Sequence, residues 1–480
     1  MSNIQKIGFN TLYQSLGKII VVIITLTLTA FLTRYLGPKY YGFYALITTF
    51  LVLATSFYDL GVSGIGSREI AKQPDLAKPI LNNVLSLRFL FGIITFVLVI
   101  LVSYLSYKGD QFIVLKNAIF IAAFTILINN ITSSLITIYV AKLKMVYIAI
   151  SEVINKIVVL VGILFAIQFN LGFLYIIAIV VLGNLIQLIF TTIFARFLFQ
   201  FRFYFDQTYW KKIFNDAWPL GLFLILSTLI FHIDTIFISY LRNPEEVGLY
   251  GVAFKILEII LNFAIFFGVS VFPIISYRIQ VNDRDGINRA IRRSVEFMLV
   301  FSVPVVVAIF FLSKEIIAII AGDQFSESIP ALKILALAIF FGFFNVLAGY
   351  LLTAKNKQKT ALWVALIGLI LNVTLNLIFI PKYGFLAAAY TTLLTQALIT
   401  FLNGLFVFKF FKPQIKFRNV TQIIVVSLVF IGILSFFNPV DSMITRFMIA
   451  LFGIAFYSVM LIYLNPEFRS IFNNLIRGSK

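Results

Sequence analysis

Cysteine is absent from this 480-residue chain, and histidine occurs once, as His232. The first absence removes disulfide and thiol chemistry, and the second removes the His-rich signatures of zinc sites. No G-x-x-x-x-G-K-[ST] phosphate loop is present, so the chain does not drive transport with ATP on its own. Loops are short, the longest about twenty residues, which leaves no room for a soluble catalytic domain. Charged residues reach only 12% of the composition. Although the formal net charge is +19, no soluble basic domain exists to carry it, so nucleic acid is not an expected partner.

What is abundant is apolar surface. Hydrophobic side chains make up 61% of the chain, and long apolar runs, each near the length that crosses about 30 Å of hydrocarbon, recur from end to end. The runs are continuous rather than alternating, which excludes a closed barrel and requires helices that satisfy their own backbone. The length rule predicts an all-α integral membrane protein with about fourteen spans. They include Leu12 to Tyr35, Tyr40 to Val62, Val84 to Tyr107, Val146 to Ile167, Ala217 to Leu241, Leu249 to Ser276 and Met443 to Leu464. The first span lacks an A-x-A-like cleavage site and is expected to be retained. With the N-terminus inside, inner segments carry almost three lysines and arginines for each one outside, so both termini are expected in the cytoplasm.

An internal repeat organises the spans. YLGPKYYGFYA from Tyr35 to Ala45 returns as YLRNPEEVGLYG from Tyr240 to Gly251, with Pro38, Gly42 and Tyr44 answering to Pro244, Gly248 and Tyr250. Gly61-Val62-Ser63 recurs as Gly268-Val269-Ser270, Ala141-Lys142 as Ala354-Lys355, and Gly172-Phe173-Leu174 as Gly384-Phe385-Leu386. Six helices per half keep the two halves in the same orientation. Parallel repeats of this kind predict two six-helix lobes around a central cavity that opens to either side in turn, the architecture of a transporter. The expected division is an N-lobe over 1–215, a C-lobe over 216–412, and two extra helices with a tail over 413–480.

Charges inside spans are the candidate functional residues, because each costs roughly 2.5 to 3.5 kcal/mol at a helix centre on an insertion scale. Four are basic: Lys18, Arg88, Lys156 and Lys255. By the apolar limits, Arg88 lies about one turn inside its span and Lys18 about two, depths from which a long side chain snorkels to the interface. Lys156 lies near mid-span, and Lys255 roughly 9 Å from the outer end of its span at 1.5 Å per residue. Glu152 precedes Lys156 by four residues and Glu258 follows Lys255 by three, so each pair shares a helix face, which Asn155 and Asn262 extend. One reading of these pairs is self-neutralising glue between helices; the other is a water-filled, mildly cationic cavity. Asp234, near His232 in FHIDTIF, is a further carboxylate suited to a coupling proton or cation. Asp59, near the inner end of the second span, is another such carboxylate, or else, with Arg68 and Glu69, an ordinary interfacial charge.

YLGPKYYGFYAL, DLGVSGIGSREIA, VGLYGVAFK, LSKEIIAIIAGDQF and KYGFLAAAYTTLLTQ, in that order across fourteen spans, resemble the Wzx-type polysaccharide flippases, which handle O-antigen and other lipid-linked oligosaccharides. These belong to the multidrug/oligosaccharidyl-lipid/polysaccharide (MOP) exporter superfamily, together with multidrug and toxin exporters and lipid II flippases. The resemblance covers essentially the whole chain. It implies a MATE-like fold and a transporter, not an enzyme, that moves a polyprenyl-diphosphate-linked glycan from the inner to the outer leaflet of the plasma membrane by alternating access, for cell-surface polysaccharide biosynthesis. It also implies a basic cavity, for which Lys18, Lys156, Lys255 and Arg88 are the matching positions. No cofactor is implied; coupling to a proton or sodium gradient or to the membrane potential stays open. Membrane lipids and a polysaccharide polymerase are the other partners implied. A cation-coupled multidrug exporter of the same superfamily is the alternative, and would use Asp234 and Glu258. Such an exporter is expected to carry an acid within the first span, where this chain carries Lys18.

Overall fold

The computed structural model describes residues 3–142, 144–196, 206–414, 417–436 and 442–464. Among these, fourteen α-helices follow one another and no strand occurs. They are α1 (Asn3–Asp59), α2 (Val62–Lys72), α3 (Ala77–Ser106), α4 (Ile113–Ala141), α5 (Met145–Gln168), α6 (Phe173–Arg196) and α7 (Gln207–Leu241). Then come α8 (Pro244–Gln280), α9 (Arg284–Ile320), α10 (Ser328–Ala354), α11 (Gln358–Tyr383), α12 (Phe385–Phe411), α13 (Phe417–Phe436) and α14 (Met443–Leu464).

Twelve of these helices are long and apolar enough to cross a membrane, and the chain is a multi-pass membrane protein. The helix α1 supplies two crossings. Gly37 breaks it with φ 63°, a left-handed backbone open to glycine, and Pro38 follows at the start of the next arm, where its missing N–H costs nothing. Residues 16–36 and 38–59 are then each about 30 Å long at 1.5 Å per residue. With the shorter apolar stretch Thr421–Phe436 of α13, the count reaches the fourteen that the sequence predicts.

The helix α2 is not a span. Leu60 and Gly61, both at positive φ (43° and 76°), turn the chain out of α1. Val62, Ile65 and Ile70 of α2 are buried against Ile80, Leu81 and Val84 of α3, while Arg68 on the opposite side is exposed. The apolar run in α3 begins at Val84, but the helix itself begins seven residues earlier, at Ala77, and carries Pro79 in its first turn.

The chain divides into two compact units, residues 1–251 with 320–324, and residues 252–319 with 325–480. Within the first unit the two repeated connections meet each other. A Cβ on Gly42 would overlap the Pro244 carbonyl, and one on Gly248 would overlap the Pro38 carbonyl, so each glycine admits the other segment's backbone. One turn further on, a Cβ on Gly251 would lie 2.9 Å from that of Ala45. Residues 320–324 close the same region: Thr33 Oγ1 donates to the Ile320 carbonyl at 2.9 Å. Here lies another repeat pair, since Gly109–Phe112 and Gly322–Phe325 both read GDQF, each opened by a positive-φ glycine (99° and 82°) that leads into a 3₁₀ turn.

In the second unit α13 and α14 pack on α9 along an apolar seam that includes Val307, Leu312, Phe430 and Tyr457. Polar ties reinforce it at two points of α9. Asn419 Nδ2 donates to Glu296 Oε1 at 2.7 Å, and Arg446 Nη1 meets Glu315 Oε1 at 2.7 Å. The turn between α8 and α9 holds a further acid: Asp283 accepts from the Gly286 N–H and from Arg278, both at 2.8 Å. The Gly286 hydrogen bond first, then the Arg278 and Arg289 charges, hold its carboxyl below the ordinary range.

Candidate functional site

The first unit brings Lys18 and Glu152 together. Gly17 makes this feasible, because a Cβ there would stand 2.7 Å from the Cβ of Ala149, so its absence lets α1 lie close on α5. At that approach Lys18 Nζ lies 2.6 Å from Glu152 Oε2, a charge-assisted contact between helices 134 residues apart in sequence. Neither side chain is enclosed, at 32% and 22% exposure. Lys156 stands one turn beyond Glu152 on α5 and is partly exposed. Asn155, by contrast, turns to α6, where its Nδ2 donates to Gln187 Oε1 at 2.9 Å. The structure thus gives Glu152 a partner on another helix, which spacing along α5 does not reveal.

Arg88 is placed differently from the sequence expectation. It lies about 16 Å along α3 from Ala77, at 1.5 Å per residue, and is 1% exposed, so it does not snorkel to an interface. Its guanidinium reaches three neighbouring helices. Nη2 lies 3.2 Å from Asp59 Oδ1 at the end of α1 and donates to Ser133 Oγ of α4 at 3.0 Å, and Nη1 donates to Ser63 Oγ of α2. Asn130 of α4 holds the Arg88 carbonyl at 2.7 Å, and the Tyr58 ring lies 5.6 Å from the guanidinium carbon. Asp59 is therefore an ion-pair partner rather than an interfacial charge. A buried pair of this kind is costly to break from one side, about 3–5 kcal/mol, because the remaining charge stays unpaired.

Asp234 is fully buried in α7 and accepts from Tyr250 Oη at 2.9 Å, with Tyr250 also enclosed in the first turns of α8. His232, two residues earlier, is half-buried.

In the second unit Lys255 and Glu258 form the pair that their spacing predicts, Nζ to Oε2 at 2.9 Å, with exposures of 35% and 38%. Asn262 Nδ2 donates to the Glu258 carbonyl at 2.9 Å, which continues the polar face of α8. Sequence reasoning missed a second polar group here. Asn403 Nδ2 donates to Asn345 Oδ1 at 3.0 Å, and Asn345 Nδ2 donates to Gln396 Oε1 at 3.2 Å, so three carboxamides link α10 to α12. Gln396 and Asn403 are buried at 2% and 4%. Their seven-residue separation, two helical turns, was the available signal. They are neutral, and charge alone does not flag them.

Chemically, the semi-exposed lysines Lys18 and Lys255 are groups able to receive an anion, whereas Arg88 is enclosed and its Nη1 and Nη2 already meet Ser63, Ser133 and Asp59. Among the described residues no cluster of three or more His, Asp or Glu groups suits a metal ion.

Residues 7–280, more than half of the chain, match the polysaccharide biosynthesis protein family, and residues 219–378 match the MatE family. A probable low-salt glycan biosynthesis flippase, Agl15, of Haloferax volcanii is 28% identical over 247 residues, 51% of this chain and 52% of that protein. The chain thus spans about half the length of that curated relative. Among solved structures, the lipid II flippase MurJ in an inward closed conformation superposes with a TM-score of 0.80 at 18% identity, covering 96% of this chain and 99% of that one. An inward-facing multidrug resistance transporter of the MATE family gives 0.66 at 13% identity, over 84% and 98% of the two chains. At these identities the likeness is one of fold, the all-helical membrane fold that the continuous apolar runs predict.

Proposed function

Because this chain belongs to the polysaccharide biosynthesis protein family, we propose that it is a transporter, a flippase that carries a polyprenyl-diphosphate-linked oligosaccharide from the inner to the outer leaflet of the plasma membrane for surface polysaccharide synthesis. Both termini lie in the cytoplasm in this reading, and transport proceeds by alternating access. The observation that carries it is the placement of Lys18 and Lys255, lysines inside apolar helices yet about one-third exposed. A charge in such a helix is tolerated where it meets water, and a diphosphate needs fixed cations once it leaves bulk solvent. Lys156 lies one turn beyond Glu152 on α5 and is partly exposed. Arg88 serves a different end, holding the break between α1 and α2. The relative named as a probable glycan biosynthesis flippase supports the same reading.

An inside-negative membrane potential favours outward movement of the anion by about 2.3 kcal/mol per charge per 100 mV, and so contributes to the driving force alongside any coupled proton or sodium. A polysaccharide polymerase is the class of partner that takes the product. The match of residues 219–378 to the MatE family favours a second reading, a cation-coupled multidrug exporter. Its carboxylates would be Asp234 and Glu258. The first is enclosed with Tyr250 and the second is neutralised by Lys255, which weakens that reading.

Deletion of the gene in its host separates the two. The flippase reading expects the lipid-linked oligosaccharide to accumulate and to meet an impermeant glycan-binding probe only after the membrane is opened. Glycolipid that stays outward-facing in cells newly sensitive to organic cations would decide for the exporter.

A further inference from the structure

Four of the described ion pairs divide into two kinds. Arg88 with Asp59 and Arg446 with Glu315 are enclosed, the arginines 1% and 20% exposed and the carboxylates 19% and 7%. They join helices, and arginine suits that task because its planar fork fixes geometry. Lys18 with Glu152 and Lys255 with Glu258 are different: all four side chains are between 22% and 38% exposed, and each cation is a lysine, a point charge on a flexible stem that exchanges partners readily. Both occur in apolar helices, one pair in each compact unit. Pairs this far from enclosed are not locked by packing as the arginine pairs are, so holding helices together does not account for them.

A lysine set in a membrane helix faces a selection problem. Phosphodiester lipids, each with one negative charge, surround it at concentrations far above any biosynthetic intermediate. An unguarded ammonium would be occupied by them. A carboxylate held beside the ammonium carries the same single charge as a phosphodiester, and its tether gives it a high effective concentration, so a singly charged headgroup gains nothing by replacing it. A diphosphate presents more charge and several acceptor oxygens within one group, and does gain.

We propose that Glu152 and Glu258 are built-in stand-in anions that occupy Lys18 and Lys255 in the empty protein and set selectivity for a diphosphate over singly charged lipid headgroups. The proposal rests on the flippase reading and names the residues that choose its substrate. On displacement each glutamate stays near the site, ready to reclaim its lysine and expel the diphosphate. The guard therefore acts on release as well as on selection. Glu152 also stands one turn from the partly exposed Lys156 on α5.

The test uses the full chain in nanodiscs of uncharged lipid, with farnesyl diphosphate, dioctanoyl phosphatidylglycerol and inorganic pyrophosphate as probes. Wild type is expected to bind farnesyl diphosphate and to bind the phosphatidylglycerol weakly. Glu152→Gln combined with Glu258→Gln, which keeps shape and removes charge, is expected to tighten phosphatidylglycerol binding by about tenfold, the equivalent of roughly one lost competing charge contact, and so to erode the selectivity. Each single substitution gives part of this effect, and Glu152→Asp retains the wild-type preference. Competition by inorganic pyrophosphate shows that the anion is what the lysines read, whereas a site that reads only the lipid tail would ignore it and contradict the proposal. Unchanged or weaker phosphatidylglycerol binding in folded Gln variants overturns the stand-in role alone. If wild type binds farnesyl diphosphate no better than farnesol, or equally well without Lys18 and Lys255, the flippase reading falls with it.

Discussion

Replacing Lys18 and Lys255 together by alanine is expected to abolish export of the lipid-linked glycan while the protein remains folded and inserted at its normal level. The reasoning is energetic. A hydrogen bond to a charged group contributes about 1.5–3 kcal/mol, so each lysine accounts for about tenfold or more in affinity for an anion that it contacts. The corresponding loss in stability is small, because neither lysine is enclosed and exposed ion pairs contribute about 0–1 kcal/mol. Measuring surface glycan and inner-leaflet glycolipid in cells that carry the double variant checks the first part, and the yield and thermal transition of the purified protein check the second. Normal export by a folded double variant would remove the cationic site from the account.

A disulfide between Ala45→Cys and Gly251→Cys is expected to arrest transport reversibly. The two segments cross within the first compact unit, and a Cβ on Gly251 would stand 2.9 Å from that of Ala45, close enough for a bridge after a small backbone adjustment. At the heart of that crossing Gly42 and Gly248 lie against each other's backbone, a contact without side chains to interlock. Alternating access requires some such contact to close one side of the protein and then part. Because the native chain has no cysteine, the engineered pair meets no competing thiol. Oxidation should stop glycan export and a reductant should restore it. Full export from quantitatively bridged protein would show that the crossing is a fixed joint.

Most of the fold could be read from the sequence because membrane helices are dictated by a length and a composition, and both are local properties. The limits failed where a helix outruns its apolar part. In α3 the stretch from Ala77 to Asn83 contains Lys78, Pro79 and two asparagines, so the apolar criterion begins at Val84 and Arg88 looks superficial. Counting from Ala77 puts it three turns deep, where only a buried partner makes it tolerable, and Asp59 is that partner. The break in α1 was legible: Gly37 falls in the short connection between the first two expected spans, Leu12 to Tyr35 and Tyr40 to Val62.

The candidate site was legible in its residues and not in its pairings. Lys255 and Glu258 are three apart on one helix, so their contact follows from helical geometry. Lys18 and Glu152 meet only because Gly17 lets α1 approach α5, a tertiary fact with no periodic trace. The repeat showed that Gly42 and Gly248 correspond, but correspondence does not imply contact. Their mutual packing needs coordinates. The carboxamides Asn345, Gln396 and Asn403 escaped because neutral polar groups on two helices announce neither charge nor spacing across the pair.

The central claim is movement of a lipid-linked glycan between leaflets, and the most direct measurement is made on the purified chain in liposomes. A polyprenyl-diphosphate oligosaccharide with a fluorescent sugar is incorporated in both leaflets, and an impermeant glycosidase is added outside. The account predicts that the protein renders the inner pool accessible, that Lys18→Ala with Lys255→Ala does not, and that an inside-negative potential speeds the transfer. Should the inner pool stay protected from the enzyme in wild-type vesicles that retain folded protein, the chain is not a flippase for this class of lipid.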